Sequence, residues 1–277
     1  AGNNTMVFMD VTPYPYQEEI LDKIRAEREL HGRYQNLVIA ATGTGKTIIA
    51  AFDFLRVRKK QPHATFLFVV HREEILTKSQ LTFRQILRDQ NFGELLVGSY
   101  KPNSLGQLFC SIQSLNSNAL CRKLSADYYD YIIIDEFHHA AADSYQELLE
   151  HFKPKYLLAL TATPERHDGL DVLKYFNYHI AAEIRLPDAI NKKLLSPFQY
   201  FGISDCVDLS TLRWVNGAYD KTQLNSIFSG NAQRACLVVQ KMNELLLDIA
   251  QCRALCFCVS QDHAVFMDEF FRGHGIH

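Results

Sequence analysis

The sequence lacks the long apolar run that a membrane-spanning helix requires, since none of its hydrophobic stretches reaches about 18 residues. Its first residues, Ala1 to Asn4, show none of the features of a signal peptide. An excess of one charge is also missing, because 29 Lys and Arg face 31 Asp and Glu. We therefore expect a soluble, cytoplasmic protein in which any binding to nucleic acid depends on local groups.

Paired metal-ligand spacings are absent as well. The seven cysteines are scattered through strand-like and helix-like segments, as expected of reduced thiols in the cytosol. Cys252, Cys256 and Cys258 are the closest group, but their spacing does not match zinc ligands and no second pair is present. We interpret all seven as structural thiols.

A strand-like segment at residues 37–39 runs straight into a loop of small residues, and a helix is expected to begin at Lys46. Gly43 and Gly45 would let successive backbone N–H groups turn toward an anion, and the positive end of the following helix adds to the attraction. Lys46 would reach the β- and γ-phosphates of a nucleotide, and the Thr47 hydroxyl would bind Mg²⁺. Ala40 stands where the general pattern has glycine, and alanine still permits the tight turn.

Short apolar strands alternate with amphipathic helices along the first two thirds of the chain. After a helix that begins near Pro15, strands are expected at 37–39, 64–70, 94–97, 107–112, 130–134, 155–160 and 179–185, and helices at 72–87, 113–124, 144–152 and 187–195. This alternation predicts an α/β domain with a doubly wound parallel sheet that is covered on both faces.

A second domain is expected to follow, with domains at residues 1–192 and 193–277. Its apolar segments 198–203 and 253–259 predict strands. Its segments 231–249 and 261–272 predict amphipathic helices.

Two adjacent carboxylates, Asp135 and Glu136, follow the predicted strand 130–134. A buried strand end is a costly place for paired negative charge unless a cation neutralises it. Mg²⁺ supplies such a cation. Asp135 would hold the metal through its water shell, and Glu136 would orient and deprotonate the attacking water.

Two hydroxyls, from Thr161 and Thr163 on either side of Ala162, follow the predicted strand 155–160. They could simply cap a turn. Because ligands gather at the carboxyl edge of an open parallel sheet, we expect this strand end to face the same crevice as Lys46 and Asp135.

These motifs, taken together, resemble those of superfamily-two helicases and translocases of the DEAD/DEAH group, and they occur in the same order along nearly the whole chain. Residues 43–47 look like motif I, residues 135–138 motif II, residues 161–163 motif III, residues 68–76 motif Ia, residues 111–115 the next backbone-contact segment, residues 253–260 the start of motif IV, and Tyr16 with Gln17 the glutamine motif.

The resemblance implies a RecA-like P-loop NTPase domain followed by part of a second RecA-like domain, with ATP and Mg²⁺ as cofactors. It also implies roles for particular residues: Gln17 reads adenine; Ala41, Thr42, Gly43, Thr44, Gly45, Lys46 and Thr47 bind the phosphates; His138, Thr161, Ala162 and Thr163 couple hydrolysis to movement; Arg72, Gln113 and Ser114 contact the nucleic-acid backbone. Such contacts carry no base information, so the expected partner is nucleic acid of any sequence. The resemblance favours DNA over RNA and leaves the choice between them open.

Within this group, residues 71–74 and 135–140 look most like the branch that contains the motor subunits of type I and type III restriction enzymes, the Res subunit among them. The sequence stops at His277, before the positions where the resemblance places motifs V and VI with an arginine finger. An arginine finger contributes roughly 10³ to 10⁵ in rate in related enzymes. We therefore expect residues 1–277 to bind nucleotide and to turn it over very slowly.

Other phosphate-loop proteins remain as alternatives. A GTPase would need a guanine-reading Asn-Lys-x-Asp, which the sequence lacks, and a small-molecule kinase would need an acceptor site and a lid. The motor subunit of a restriction enzyme, or a protein that uses ATP only to switch its binding to nucleic acid, would keep the same motifs.

Overall fold

The computed structural model describes residues 7–98, 100–163, 172–204, 207–215 and 218–277. The chain divides into two compact units, Ala1–Pro197 and Phe198–His277. The predicted boundary after residue 192 falls shortly before this division, and the assignment of the second part to a RecA-like domain stays a prediction. None of the helices in the described ranges combines the length and the hydropathy that crossing a membrane requires.

A seven-stranded sheet organises the first unit. Its strands are β1 (Gln35–Ala40), β2 (Phe66–Val70), β3 (Glu94–Leu96), β4 (Gln107–Ser111), β5 (Tyr131–Ile134), β6 (Tyr156–Thr161) and β7 (Ala182–Ile184). They lie in the order β3-β4-β2-β5-β6-β1-β7, and every neighbouring pair is parallel. The predicted parallel α/β sheet is therefore confirmed.

Both faces of the sheet are buried, which explains why its strands are continuously apolar. Successive side chains of a strand point to opposite faces, so Val38 belongs to one core and its neighbours Leu37 and Ile39 to the other. The helices of this unit are α1 (Pro15–His31), α2 (Lys46–Lys60), α3 (Leu76–Leu87), α4 (Ile112–Ser117), α5 (Leu120–Lys123), α6 (Asp143–His151) and α7 (Leu186–Asn191). The first three contribute to the core that contains Val38, and α4 to α6 contribute to the other.

Three predicted helices differ from the observed ones. The segment 187–195 is helical only to Asn191, where α7 ends. The segment 72–87 begins with a short 3-10 turn, Glu73–Ile75, and α3 starts only at Leu76. The segment 113–124 is broken into α4 and α5 at Asn118, whose side-chain amide donates to the Ser114 carbonyl at 2.8 Å. This contact gives the backbone an alternative to a continuous helix, and Ala119 then adopts a left-handed conformation (φ 52°).

The second unit contains α8 (Lys221–Phe228), α9 (Ala232–Leu245), α10 (Gln261–Gly273) and a short antiparallel pair, β8 (Trp214–Val215) with β9 (Ala218–Tyr219). The predicted helices near 231 and 261 are confirmed. The strands predicted at 198–203 and 253–259 are wrong, because the described residues there form no strand. A strand needs a neighbour for its backbone groups, and without one the side chains of Phe198 and Phe257 are 64% and 88% exposed.

Candidate active site

The loop between β1 and α2 has the tight backbone curl that its glycines predict. Gly43 and Gly45 both have positive φ, at 89° and 83°. A Cβ at position 45 would lie 2.6 Å from Nε2 of Gln17, and one at position 43 would lie 3.0 Å from Leu195 Cδ2. Glycine is therefore required at position 45 by both conformation and space.

The buried Thr44 holds this loop in place through hydrogen bonds. Its hydroxyl donates to the Ala41 carbonyl at 2.6 Å, and its carbonyl accepts from the Tyr16 hydroxyl at 2.6 Å and from Nε2 of Gln17 at 3.3 Å. Thr44 is fully buried, whereas Thr42 and Gly43 on the same loop are exposed. The loop is thus held by α1 and leaves its outer residues open to solvent.

Gln17 is 2% exposed, and its Oε1 accepts a hydrogen bond from the Tyr14 backbone N–H at 2.9 Å. Both ends of its amide are therefore engaged in the segment that supports the loop. The predicted adenine contact of Gln17 stays a prediction. Tyr16, to which the sequence assigned no role of its own, shares the task of holding Thr44.

Asp135 follows β5, and Lys46 follows the loop after β1, with only β6 between these two strands. Asp135 is 4% exposed, and its Oδ1 accepts from the Glu136 backbone N–H at 2.8 Å. Burial raises the pKa of the Asp135 carboxyl, while the Lys46 ammonium and the Glu136 N–H act in the opposite direction. The two side chains thus lie within electrostatic range, and a further cation there would stabilise the charged carboxylate.

Glu136 adopts a left-handed backbone conformation (φ 52°, ψ 46°) that a non-glycine residue keeps only where its surroundings hold it. Its Oε2 is buried and has no hydrogen-bond partner among the described residues. Hard cations such as Mg²⁺, and the water molecules around them, are bound by oxygens of this kind. The carboxylates of Asp135 and Glu136 therefore fit a magnesium ion and its water shell, and the predicted Thr47 ligand stays a prediction.

The carboxyl end of β6 is linked to the turn after β5. His138 Nδ1 lies 3.1 Å from the Thr161 hydroxyl, which donates to the Thr163 carbonyl at 2.9 Å. Either Nδ1 of His138 or the hydroxyl supplies the hydrogen of this contact, depending on the tautomer of the imidazole. Ala162, between the two threonines, is half-buried.

Residues 10–166 match the family described as type III restriction enzyme, res subunit. The chain belongs to this family. The match covers the loop, the two carboxylates and the threonines described above. The expected membership in a helicase-type enzyme family is confirmed.

Among curated relatives, a Schizosaccharomyces pombe protein named as a mitochondrial ATP-dependent helicase is 28% identical over 279 residues, covering 95% of this chain and 43% of its own length. The chain spans less than half the length of the curated relatives it matches. Two solved structures share the fold. The Hef helicase domain of Pyrococcus furiosus has a TM-score of 0.53 at 15% identity, covering 95% of this chain and 53% of that one.

The second structure is a nuclease-deletion mutant of the type ISP restriction-modification enzyme LlaGI in complex with a DNA substrate mimic. Its TM-score is 0.52 at 14% identity, and the match covers 85% of this chain and 23% of that one. At these identities the two structures support the fold alone. The predicted RecA-like fold of the helicase domain is therefore confirmed.

The predicted nucleic-acid contacts of this Res-family chain differ in accessibility. Arg72 follows β2 in an extended conformation and is exposed, as is Gln113 at the start of α4. Ser114 is only 8% exposed, and its backbone N–H donates to the Ser111 hydroxyl at 3.2 Å. Arg72 and Gln113 are therefore the more accessible pair, and all three contacts stay predictions.

Three side chains near the carboxylates received no role in the sequence interpretation. The rings of His71 and His139 are stacked, and the buried Tyr145 hydroxyl lies close enough to Glu136 and Asp135 that both carboxylates, after burial itself, raise its pKa. The available signal was their position after the carboxyl ends of β2 and β5, where ligands gather.

Proposed function

We propose that this chain binds Mg-ATP and hydrolyses it to drive movement along nucleic acid. The observation that supports this most directly is the proximity of Lys46 and the buried Asp135 at the carboxyl ends of β1 and β5. A preformed anion loop beside a buried carboxylate matches what a metal-bound triphosphate requires. We further propose that residues 193–277 begin a second RecA-like domain.

In this function each residue of the site has a defined task. The loop 41–47 binds the phosphates through backbone N–H groups other than those of Ala41 and Thr44, which donate to the Ile184 and Ala41 carbonyls. Lys46 neutralises charge on the β- and γ-phosphates. Thr47 and Asp135 would hold Mg²⁺, which offsets the charge that develops on the transferred phosphoryl group. Glu136 orients the attacking water and accepts its proton. The hydrogen bond between His138 and Thr161 then transmits loss of the γ-phosphate to the end of β6 and to the proposed nucleic-acid-binding surface.

The nucleic-acid partner is proposed to be DNA, bound through its phosphates. Exposed Arg72 and Gln113 lie after β2 and β4, which are neighbours in the sheet. The LlaGI enzyme that shares this fold is bound to a DNA substrate mimic. Phosphate contacts predict sequence-independent binding that weakens with salt.

Two alternative functions would use the same nucleotide site. Membership in the Res family favours a motor that serves a restriction enzyme. A protein that only switches its nucleic-acid binding with ATP would hydrolyse without moving. Translocation assays on the full-length protein, such as displacement of a third strand from a DNA triplex with ATP, distinguish a motor from such a switch.

Binding of a fluorescent ATP analogue with Mg²⁺ tests the nucleotide site. Lys46→Ala should weaken binding at least tenfold, because the phosphates lose their principal side-chain cation. Lys59→Ala, which removes an exposed lysine near the opposite end of the same helix α2, is the matched control and should bind normally. Equal affinities for the native chain and Lys46→Ala would contradict the proposed site.

Fluorescence anisotropy with labelled single-stranded DNA tests the nucleic-acid surface. Arg72→Ala should reduce affinity and lower the slope of log affinity against log salt by about one, with ATP affinity unchanged. Arg33→Ala removes an exposed arginine just before β1, at the other edge of the sheet, and should change neither. Unaltered DNA binding by Arg72→Ala would show that Arg72 makes no phosphate contact.

A further inference from the structure

Three imidazole rings form a row at the carboxyl edge of the sheet. His71 and His139 are stacked with ring centroids 4.2 Å apart and an interplanar angle of 20°. His138 and His139 have centroids 4.2 Å apart at 44°. We call these three rings the histidine row. It begins after β2, passes the turn after β5 and reaches Thr161 at the end of β6, and these three strands are consecutive in the sheet.

One end of the histidine row lies beside the proposed nucleic-acid contact. His71 immediately precedes Arg72, whose backbone is extended (φ −108°, ψ 120°). Neighbouring side chains of an extended segment point to opposite sides, so the exposed Arg72 and the inward His71 ring are carried by the same piece of backbone. A movement of Arg72 would therefore also move His71.

Packing is what holds the His71 ring at this place. Its Nδ1 is buried and has no hydrogen-bond partner in the part of the chain that the structure describes. A ring held by stacking can slide against its neighbour without breaking a directional bond, and the dispersion contacts of the two faces then change together.

The middle of the histidine row is joined to the proposed catalytic base. The His139 backbone N–H donates to the Glu136 carbonyl at 2.9 Å, and this hydrogen bond closes the turn in which Glu136 is left-handed. A residue in that conformation depends on its surroundings. Moving the His139 ring would therefore shift the backbone that aims the Glu136 carboxylate, while the 41–47 loop is held separately by Tyr16 and Gln17.

We propose that His71 is a positioning residue: through its stack on His139 it transmits nucleic-acid binding at Arg72 to the Glu136 turn and, through His138, to Thr161. This proposal rests on the proposed function, because it assigns the link between the two surfaces of that same site. It predicts that nucleotide state and nucleic-acid affinity are coupled through the histidine row, and that the coupling is reciprocal.

The coupling ratio is the affinity for labelled single-stranded DNA measured with a non-hydrolysable ATP analogue divided by that measured with ADP, both with Mg²⁺. Allosteric ratios of this kind are typically about fivefold or more from unity. His71→Ala should bring the ratio close to one and leave DNA affinity without nucleotide unchanged. His71→Phe keeps a flat ring and should retain most of the coupling.

His139→Ala should lower the ratio as much as His71→Ala, and the double variant should lower it no further, because both remove the same stack. His63→Ala, which removes an exposed histidine just after α2, is the matched control and should keep the native ratio. A native ratio in His71→Ala, or a loss in His71→Phe equal to that in His71→Ala, would overturn the proposal.

Imidazole proton resonances provide a readout without nucleotide. Adding single-stranded DNA alone should shift the His139 ring signals in the native chain and in His71→Phe, but not in His71→Ala. If His139 signals fail to respond to bound DNA, the link does not exist. A chain that binds DNA with this response but binds no nucleotide would refute the proposed ATPase function and leave the link intact.

Discussion

At the amino edge of the sheet the buried charges are paired, whereas at the carboxyl edge several buried polar atoms have no hydrogen-bond partner among the described residues. Arg28 binds Asp53 through two hydrogen bonds of 2.8 Å, and the same carboxylate accepts from the Tyr131 hydroxyl. Asn36 completes the set through Nε of Arg28 at 3.0 Å. This network joins α1 and α2 to the first residues of β1 and β5.

At the other edge, burial raises the pKa of Asp135, and Glu136 Oε2 has no hydrogen-bond partner among the residues that the structure describes. In the described ranges, all four buried side-chain atoms without a hydrogen bond, from His71, Asn116, Glu136 and Tyr145, follow β2, β4 or β5 in sequence. Leaving buried groups unpaired costs stability. The comparison indicates that paired charges at the amino edge stabilise the fold, and it supports the proposal that the carboxyl edge binds a ligand.

The largest effect expected at the carboxyl edge follows from Glu136→Gln. The amide keeps the size of the side chain but cannot accept the proton of the attacking water, so hydrolysis should fall roughly 10² to 10⁴-fold, with nucleotide affinity within about threefold. Single-turnover hydrolysis of radiolabelled ATP in the presence of DNA measures this. Glu147→Gln, at an exposed position on α6, is the control, and an equal loss there would remove the special role of Glu136.

The largest effect expected at the amino edge follows from Arg28→Ala. It leaves the Asp53 carboxylate, 2% exposed, without its cation, and breaking such a buried pair costs about 3–5 kcal/mol of the free energy of unfolding. Urea denaturation followed by circular dichroism measures the loss. Lys60→Ala removes an exposed pair with Glu29 between the same two helices and should leave stability nearly unchanged. Similar losses in both variants would show that burial does not decide the effect.

Much of the first unit follows from its sequence, because strands buried on both faces are continuously apolar and each ends in a polar loop. The runs before Lys46, Asp135 and Thr161 therefore marked both the sheet and its functional edge. The stack of His71 on His139 could not be predicted in this way, because it depends on the left-handed Glu136 turn and on side-chain rotamers. Strands at 198–203 and 253–259 were predicted from apolar pattern alone, and pattern does not supply the neighbouring strand that pairing requires.

A pair of glycine substitutions separates backbone strain from site geometry. Gly45→Ala and Gly32→Ala each place a side chain at positive φ, and this backbone conformation alone should cost each variant about 1–2 kcal/mol of stability. At Gly32 the new Cβ has no atom within 4 Å, so nucleotide affinity should be unchanged. At Gly45 it meets Gln17, which holds Thr44, and affinity for the ATP analogue should fall at least tenfold. Equal affinities would mean that the loop tolerates displacement of Gln17.

The smallest expected effect is a gain in stability from Asp135→Asn, and it tests the difference between the two edges of the sheet most directly. Burial raises the folded-state pKa of Asp135 above its ordinary value of 3.8, so the fold favours the protonated form and ionisation at neutral pH destabilises it. Asparagine removes that cost and can still accept the hydrogen bond from the Glu136 N–H. Such removals typically add about 0.5–2 kcal/mol.

The sign of the pH dependence identifies the cause. The advantage of Asp135→Asn should be complete above the raised pKa and should vanish as the pH falls through it toward 3.8, because the native carboxyl is then protonated as well. Thermal unfolding of both chains across this range measures the difference, and Mg-ATP affinity should be lost in the variant throughout. If the variant remains more stable at low pH, its advantage comes from packing and not from removal of a charge. The Asp135 carboxylate would then not be the reason why the carboxyl edge is less stable.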